Sequence, residues 1–186
     1  GTAADEGGAT AAGGAADAPA PPPARLVAGP VPCADAYPTG FRFATGMEKR
    51  PMPLIPEPPP RQPFLDPTFK TCLVRVTDRT RDLVGGDRSV GLKNEYSRVN
   101  SFNADGSRLL ARATESTWYL YDARSFKRLQ RLPFEGAVDP RWDARDPNVL
   151  WYTPDTRLVR FDLRGGKTKT IRDFARDFPQ WKPEIV

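Results

Sequence analysis

A stretch of this chain repeats itself. Phe102-Asn-Ala-Asp-Gly-Ser-Arg-Leu-Leu110 aligns without a gap on Trp142-Asp-Ala-Arg-Asp-Pro-Asn-Val-Leu150, at an offset of 40 residues. An aromatic lies over an aromatic, Ala104 over Ala144, and Leu109-Leu110 over Val149-Leu150. The same offset carries Tyr121-Asp-Ala-Arg124 onto Phe161-Asp-Leu-Arg164. Phe178-Pro-Gln-Trp181 reads as the opening of a third copy, Trp181 lying 39 residues after Trp142. Self-similarity at a fixed period means units that cannot each bury an apolar face alone and must stack on one another.

Each copy reads as four short strands. In the first, at about 96–135, Arg98 to Phe102 is the expected innermost strand and Asn103 to Ser107 a turn, because Asp105-Gly106 places a residue tolerant of positive φ between apolar runs. Arg108 to Thr114, Trp118 to Tyr121 and Phe126 to Leu132 follow as strands, with Leu129 and Leu132 pointing inward. In the second, at about 136–175, the strands are Asp139 to Trp142, Val149 to Tyr152, Leu158 to Phe161 and Lys167 to Ile171, with Gly165-Gly166 in a hairpin.

A period near 40 made of short strands is that of a β-propeller blade. The expected fold is all-β: about two complete four-stranded blades plus flanking strands. A closed ring has about 4–8 blades, each covering its neighbour. Two alone would expose Leu, Val, Trp and Phe, so the chain is expected to be part of a larger propeller or to complete its ring with another polypeptide. Thr71 to Thr77, rich in β-branched residues, is then a clasp strand for the last blade. The competing fold, a two-sheet sandwich, requires polar outer faces.

The run Phe102 to Leu110, followed by Tyr-Leu-Tyr-Asp122, resembles the repeat of the WD40-like, TolB-type β-propellers: an aromatic, Ser-Pro-Asp-Gly, an apolar strand, then a strand ending in Asp. The resemblance covers roughly residues 98–182. The second copy departs from it, with Asp-Pro-Asn as its turn. It implies an exported, periplasmic or extracellular propeller used as a binding platform. Some similar proteins are enzymes, such as oligogalacturonate lyases and the propellers attached to prolyl oligopeptidases, so the motif speaks for a fold rather than an activity.

Composition divides the chain of 186 residues. Residues 1–30 are mostly Ala, Gly and Pro and are expected to be a disordered arm. Residues 31–67 form a Pro-rich extended linker, with Phe41-Arg-Phe43 alternating like a short strand and Pro51 to Pro63 favouring polyproline II. Residues 68–186 are the propeller portion. The chain begins with Gly1, which implies a removed signal peptide or tag. No apolar run approaches the roughly 20 residues of a membrane-spanning helix.

Net charge is +5, from 28 Lys and Arg against 23 Asp and Glu. The two signs are interspersed, which reads as a solvated surface rather than a nucleic-acid footprint. Two cysteines without histidine exclude a zinc set, and a Ser-His-Asp triad is excluded with it. Cys33 and Cys72 leave two readings open: a disulfide tethering the arm, or two separate thiols. No catalytic, cofactor-binding or metal-binding residue emerges, and no cofactor is expected. Asp105, Asp122 and Asp162 sit where carboxylates cap turns. Trp142, and Tyr121 with Phe161, are expected in the core between blades.

The remaining candidates lie on the inner strands, which in a propeller line the central channel. Tyr96, Arg98, Asp139 and Arg141 are expected at its mouth, where two arginines would attract an anionic ligand or an acidic partner surface. The leading expectation is a non-enzymatic binding or scaffold module with a protein partner or further blades, and no nucleic acid. The alternatives are a fragment of a propeller enzyme acting on polysaccharide or peptide, and a subunit of a membrane-associated assembly docked through residues 31–66.

Overall fold

The computed structural model describes residues 33–180. The expected arm at 1–30, and Trp181 of the expected third copy, lie outside them. The fold is all-β, with three antiparallel sheets and two short helical turns. The first sheet is a hairpin of β1 (Pro63–Leu65) and β2 (Cys72–Val74). The second runs in chain order β3 (Leu92–Lys93), β4 (Arg108–Ala113), β5 (Thr117–Asp122) and β6 (Arg128–Glu135). The third does the same with β7 (Arg141–Trp142), β8 (Val149–Tyr152), β9 (Arg157–Asp162) and β10 (Lys167–Asp173). Among the described residues no helix is long and apolar enough to cross a membrane.

The two four-stranded sheets are equivalent, but the ungapped alignment is wrong by one residue across their second strands. Arg108 pairs with Asp122, whereas Val149 pairs with Asp162. The cause is the turn. Asn103 N–H donates to Arg108 O at 3.0 Å, while Asp143 N–H reaches one residue further, to Val149 O at 3.0 Å. The Asp-Pro-Asn turn therefore holds one extra residue. Because side chains alternate with period two, that residue exchanges the faces. Leu109, not Leu110, is the counterpart of Leu150, and Leu110 is the counterpart of Trp151.

This shift explains how the sheets stack. Leu110, Trp118, Leu120, Leu132 and Phe134 of the second sheet meet Leu150, Tyr152, Val159 and Phe161 of the third. Phe134 stacks on Tyr152 with ring centroids 4.5 Å apart and meets Phe161 edge-on at 5.9 Å. Fully burying each such side chain contributes roughly 1.5–3 kcal/mol. The second-sheet counterparts of Leu150, Tyr152, Val159 and Phe161 are Leu109, Ala111, Tyr119 and Tyr121, and they face the opposite way. The sheets thus stack in the same sense, like face following like face. Tyr121 and Phe161 are equivalent, as the repeat predicts, yet Tyr121 packs in a different cluster from Phe161.

The outer faces are not the bare apolar surfaces expected. Val76, Leu83 and Val84 cover Leu109, Ala111, Tyr119 and Tyr121. Two buried tyrosines secure this strap. Tyr121 donates to Asp82 Oδ2 at 3.0 Å, and Asp82 Oδ1 pairs with Arg61. Tyr119 donates to Asp87 Oδ2 at 2.7 Å. Burial, and then the charge of Asp82, push the Tyr121 hydroxyl pKa upward. The far side of the third sheet is mixed: one cross-strand row is Arg141, Trp151, Arg160 and Lys169, and Val149 and Leu158 share the face with it.

Other expectations change as well. Arg98 to Phe102 is not a continuous inner strand. Leu92–Lys93 pairs with one end of β4, Phe102 bridges to Leu109 near the other, and the chain between loops out. Arg112 holds that loop through Glu95 at 2.8 Å, and Asn94 Nδ2 donates to Tyr96 O at 2.8 Å. Thr71 to Thr77 yields only Cys72–Val74, and its partner is Pro63–Leu65 rather than a late strand. Pro63 to Leu65, inside the proline-rich stretch, is therefore sheet, with Phe64 buried. Phe41-Arg-Phe43 forms no strand. Leu129 is 50% exposed, and Phe178 caps a helical turn, α1 (Phe174–Asp177), instead of opening a strand.

Cys33 and Cys72 form a disulfide across 39 residues, with their Cα atoms 5.4 Å apart. It fixes the start of the described chain, a 3-10 turn at Cys33–Asp35, beside the β1–β2 hairpin.

Candidate functional site

The two equivalent turns meet where the first-strand edges of the stacked sheets adjoin. Phe102, Asn103 and Ala104 form one wall of a groove, and Trp142, Asp143 and Ala144 form the other. Arg98 and Arg141 complete it, around a cavity of about 420 Å³. The walls are built from the repeat. Asn103 is 4% exposed. It donates through Nδ2 to Pro147 O at 3.0 Å and accepts through Oδ1 from Arg108 N–H at 2.9 Å. Trp142 donates its indole N–H across the seam to Ser101 O at 2.8 Å. Arg108 reaches Asn148 Oδ1 at 2.5 Å.

Of the four residues expected at a channel mouth, the structure brings Arg98 and Arg141 to this groove. Asp139 lies beside it, paired with Arg141 at 2.7 Å, and has positive φ at the entry to β7. Tyr96 rides outward on the loop tied by Asn94, 60% exposed, and does not line the groove. Arg98 makes no ion pair among the described residues, so its charge is open to a ligand.

Asp143 is an ionised carboxylate in the groove wall, with both oxygens engaged by neutral donors. Its Oδ1 accepts the N–H groups of Arg145 and Asp146 at 2.9 Å each, and Oδ2 accepts the indole N–H of Trp151 at 2.9 Å. Donation from the Asp146 backbone, then from Trp151 and the Arg145 backbone, holds its pKa down at about 2. The other turn carboxylates are engaged in the same manner. Asp105 Oδ1 accepts from Ser107 N–H at 3.0 Å, Asp122 Oδ1 from Ser125 N–H at 2.6 Å, and Asp162 Oδ1 from Arg164 N–H at 3.0 Å. Hydrogen bonds from Ser107 and Ser125 lower the pKa values of Asp105 and Asp122 respectively. Among the described residues no group of three or more His, Cys, Asp or Glu side chains could hold a metal ion.

Two polar constellations escape sequence reasoning. Arg61, in the proline run, reaches Asp82 and Phe126 O; nothing in its local sequence points there. The outward row on the third sheet could have been found from the alternation of Lys167 and Lys169 and the charged Arg160 between apolar Val159 and Phe161. Comparison with known protein families, curated proteins and solved structures finds no match to this chain.

Proposed function

We propose that the two stacked sheets are neighbouring blades of a WD40-like, TolB-type propeller array and that the chain is a non-enzymatic protein-binding module. One observation carries this reading. The repeat-equivalent turns Phe102-Asn-Ala and Trp142-Asp-Ala face each other across one groove, with Arg98 and Arg141 at its rim. Stacking in the same sense and the in-order strands of each sheet support the blade assignment. The Cys33–Cys72 bridge accords with an exported, oxidising setting. In this reading the partner is a protein segment with an acidic group for Arg98 and an apolar group for the exposed ring of Phe102.

The test is selection of displayed random peptides against the chain, followed by affinity measurement on Arg98→Glu combined with Phe102→Ala. Enriched peptides are expected to lose about tenfold or more in affinity for the variant, as for residues central to an interface. Failure to enrich any sequence, or equal binding to both proteins, would overturn the assignment.

A further inference from the structure

The outward face of the third sheet carries an unbroken cross-strand row. Arg141 of β7 is the Cα partner of Trp151 of β8, Trp151 of Arg160 of β9, and Arg160 of Lys169 of β10. Three inter-strand steps make it about 14 Å long. Directly opposed like charges in a sheet are destabilising, yet Arg160 faces Lys169 and the row contains no carboxylate. Asp162, in the next row, reaches Arg160 at 3.2 Å and Arg164 at 3.5 Å. Lys167 and Lys169 make no ion pair among the described residues. A hollow of about 610 Å³ lies over Arg160, Asp162, Arg164, Lys167 and Lys169. Trp151 is half-buried within the row, and its indole N–H is committed to Asp143. Its row neighbours are Arg141 and Arg160, whose guanidinium groups pair with Asp139 at 2.7 Å and Asp162 at 3.2 Å.

We propose that this face docks an acidic peptide segment laid across the strands along Arg141, Trp151, Arg160 and Lys169. Charge complementarity selects an anionic occupant. Carboxylates also stand among the cations, Asp139 on Arg141, Asp143 on Trp151, and Asp146 and Asp162 on Arg164, and they favour a peptide. A peptide's sequence can set neutral side chains against the aspartates and acidic ones against the cations, whereas a nucleic-acid backbone carries a phosphate on every nucleotide. The Trp151 ring fits an apolar side chain of the same segment. The proposal rests on the reading of the chain as a binding module, but it uses a different face from the groove and shares only Arg141 with it.

The experiment is fluorescence anisotropy on the full chain with a labelled Glu-Ser repeat peptide, its Gln-Ser counterpart and a single-stranded oligonucleotide of equal length. The Glu peptide is expected to bind and the Gln peptide not. Lys167→Glu with Lys169→Glu is expected to weaken the Glu peptide about tenfold or more, through lost charge complementarity. Lys167→Gln with Lys169→Gln weakens it less, in the same direction, and retains the exposed strand's backbone pairing. Arg124→Glu with Lys127→Glu, an equal charge change at exposed positions in the turn between β5 and β6, leaves it within about twofold. Equal losses in both reversal variants would reduce the effect to net charge and overturn the proposal, as would absence of binding or tighter binding of the oligonucleotide. Loss in Arg98→Glu with retention in Lys167→Glu/Lys169→Glu would move the peptide to the groove, overturning this inference while sustaining the binding-module reading.

Discussion

Asp143 shows how a single side chain fixes a turn that has lost its glycine. In the first copy Gly106 takes φ of 68°, and Asp105 needs to satisfy only one neighbouring N–H. In the second, Arg145 and Pro147 occupy the turn, and Asp143 gathers two backbone N–H groups and an indole instead. These donors prefer the carboxylate, so the folded-state pKa near 2 lies below the ordinary 3.8. The sign of the linkage follows. Protonation is easier in the unfolded chain, so the contribution is fully present above about pH 4 and is lost as pH falls through the folded value. Urea unfolding midpoints measured at intervals from pH 5 to about pH 2 should therefore decline for the native chain. Asp143→Asn should start from a lower midpoint and decline less steeply across the same window. An unchanged slope would mean that the turn does not depend on that charge.

At the scale of elements, the strap and the sheet it covers are joined by two tyrosine–aspartate contacts of unequal weight. Asp82 is 3% exposed and serves Arg61, the Tyr121 hydroxyl and the Asp78 N–H together. Asp87 serves the Tyr119 hydroxyl and the Ser89 N–H and has no cationic partner among the described residues. Asp82→Ala leaves a part-buried guanidinium and two further donors without their acceptor, so it should cost about 3 kcal/mol. Asp87→Ala, which strips neutral donors of an acceptor, should cost about 1–3 kcal/mol. Denaturant unfolding of the two variants gives the comparison; equal costs would show that Arg61 is not held by Asp82 in solution. The strap also marks where the sequence stops being legible. The strands β4, β5, β8 and β9 announce themselves through apolar alternation and β-branched or aromatic residues. A strap of Asp78 to Asp87 with paired glycines reads as loop, because its role depends on long-range partners, Tyr119 and Tyr121, that no local pattern encodes.

For the whole molecule, the repeat was visible in the residues and the order of its strands followed from it. The face each strand presents did not. A single extra residue between Asp143 and Val149 inverts an ungapped comparison, and only the pairing of Val149 with Asp162 reveals it. Arg98 and Arg141 both line the groove between the equivalent turns, while Tyr96 is carried away by a side-chain network within its own loop. At this scale the remaining question is how the N-terminal portion is coupled to the stack. Between Cys33 and Phe43 the backbone makes one hydrogen bond to the hairpin region, Tyr37 N–H to Lys70 O at 3.1 Å, so the disulfide supplies most of the attachment. Closing a loop of 39 residues stabilises by roughly 4 kcal/mol through lost unfolded-state entropy, if that loop unfolds with the rest. The sheets are held independently, by the inter-sheet aromatic core and the strap. Reduction should therefore raise amide hydrogen exchange in residues 33–74 and leave protection in Arg108–Ala113 and Thr117–Asp122 nearly unchanged. Loss of protection throughout would instead make the bridge part of one cooperative core, with the two-sheet stack unable to stand without its N-terminal arm.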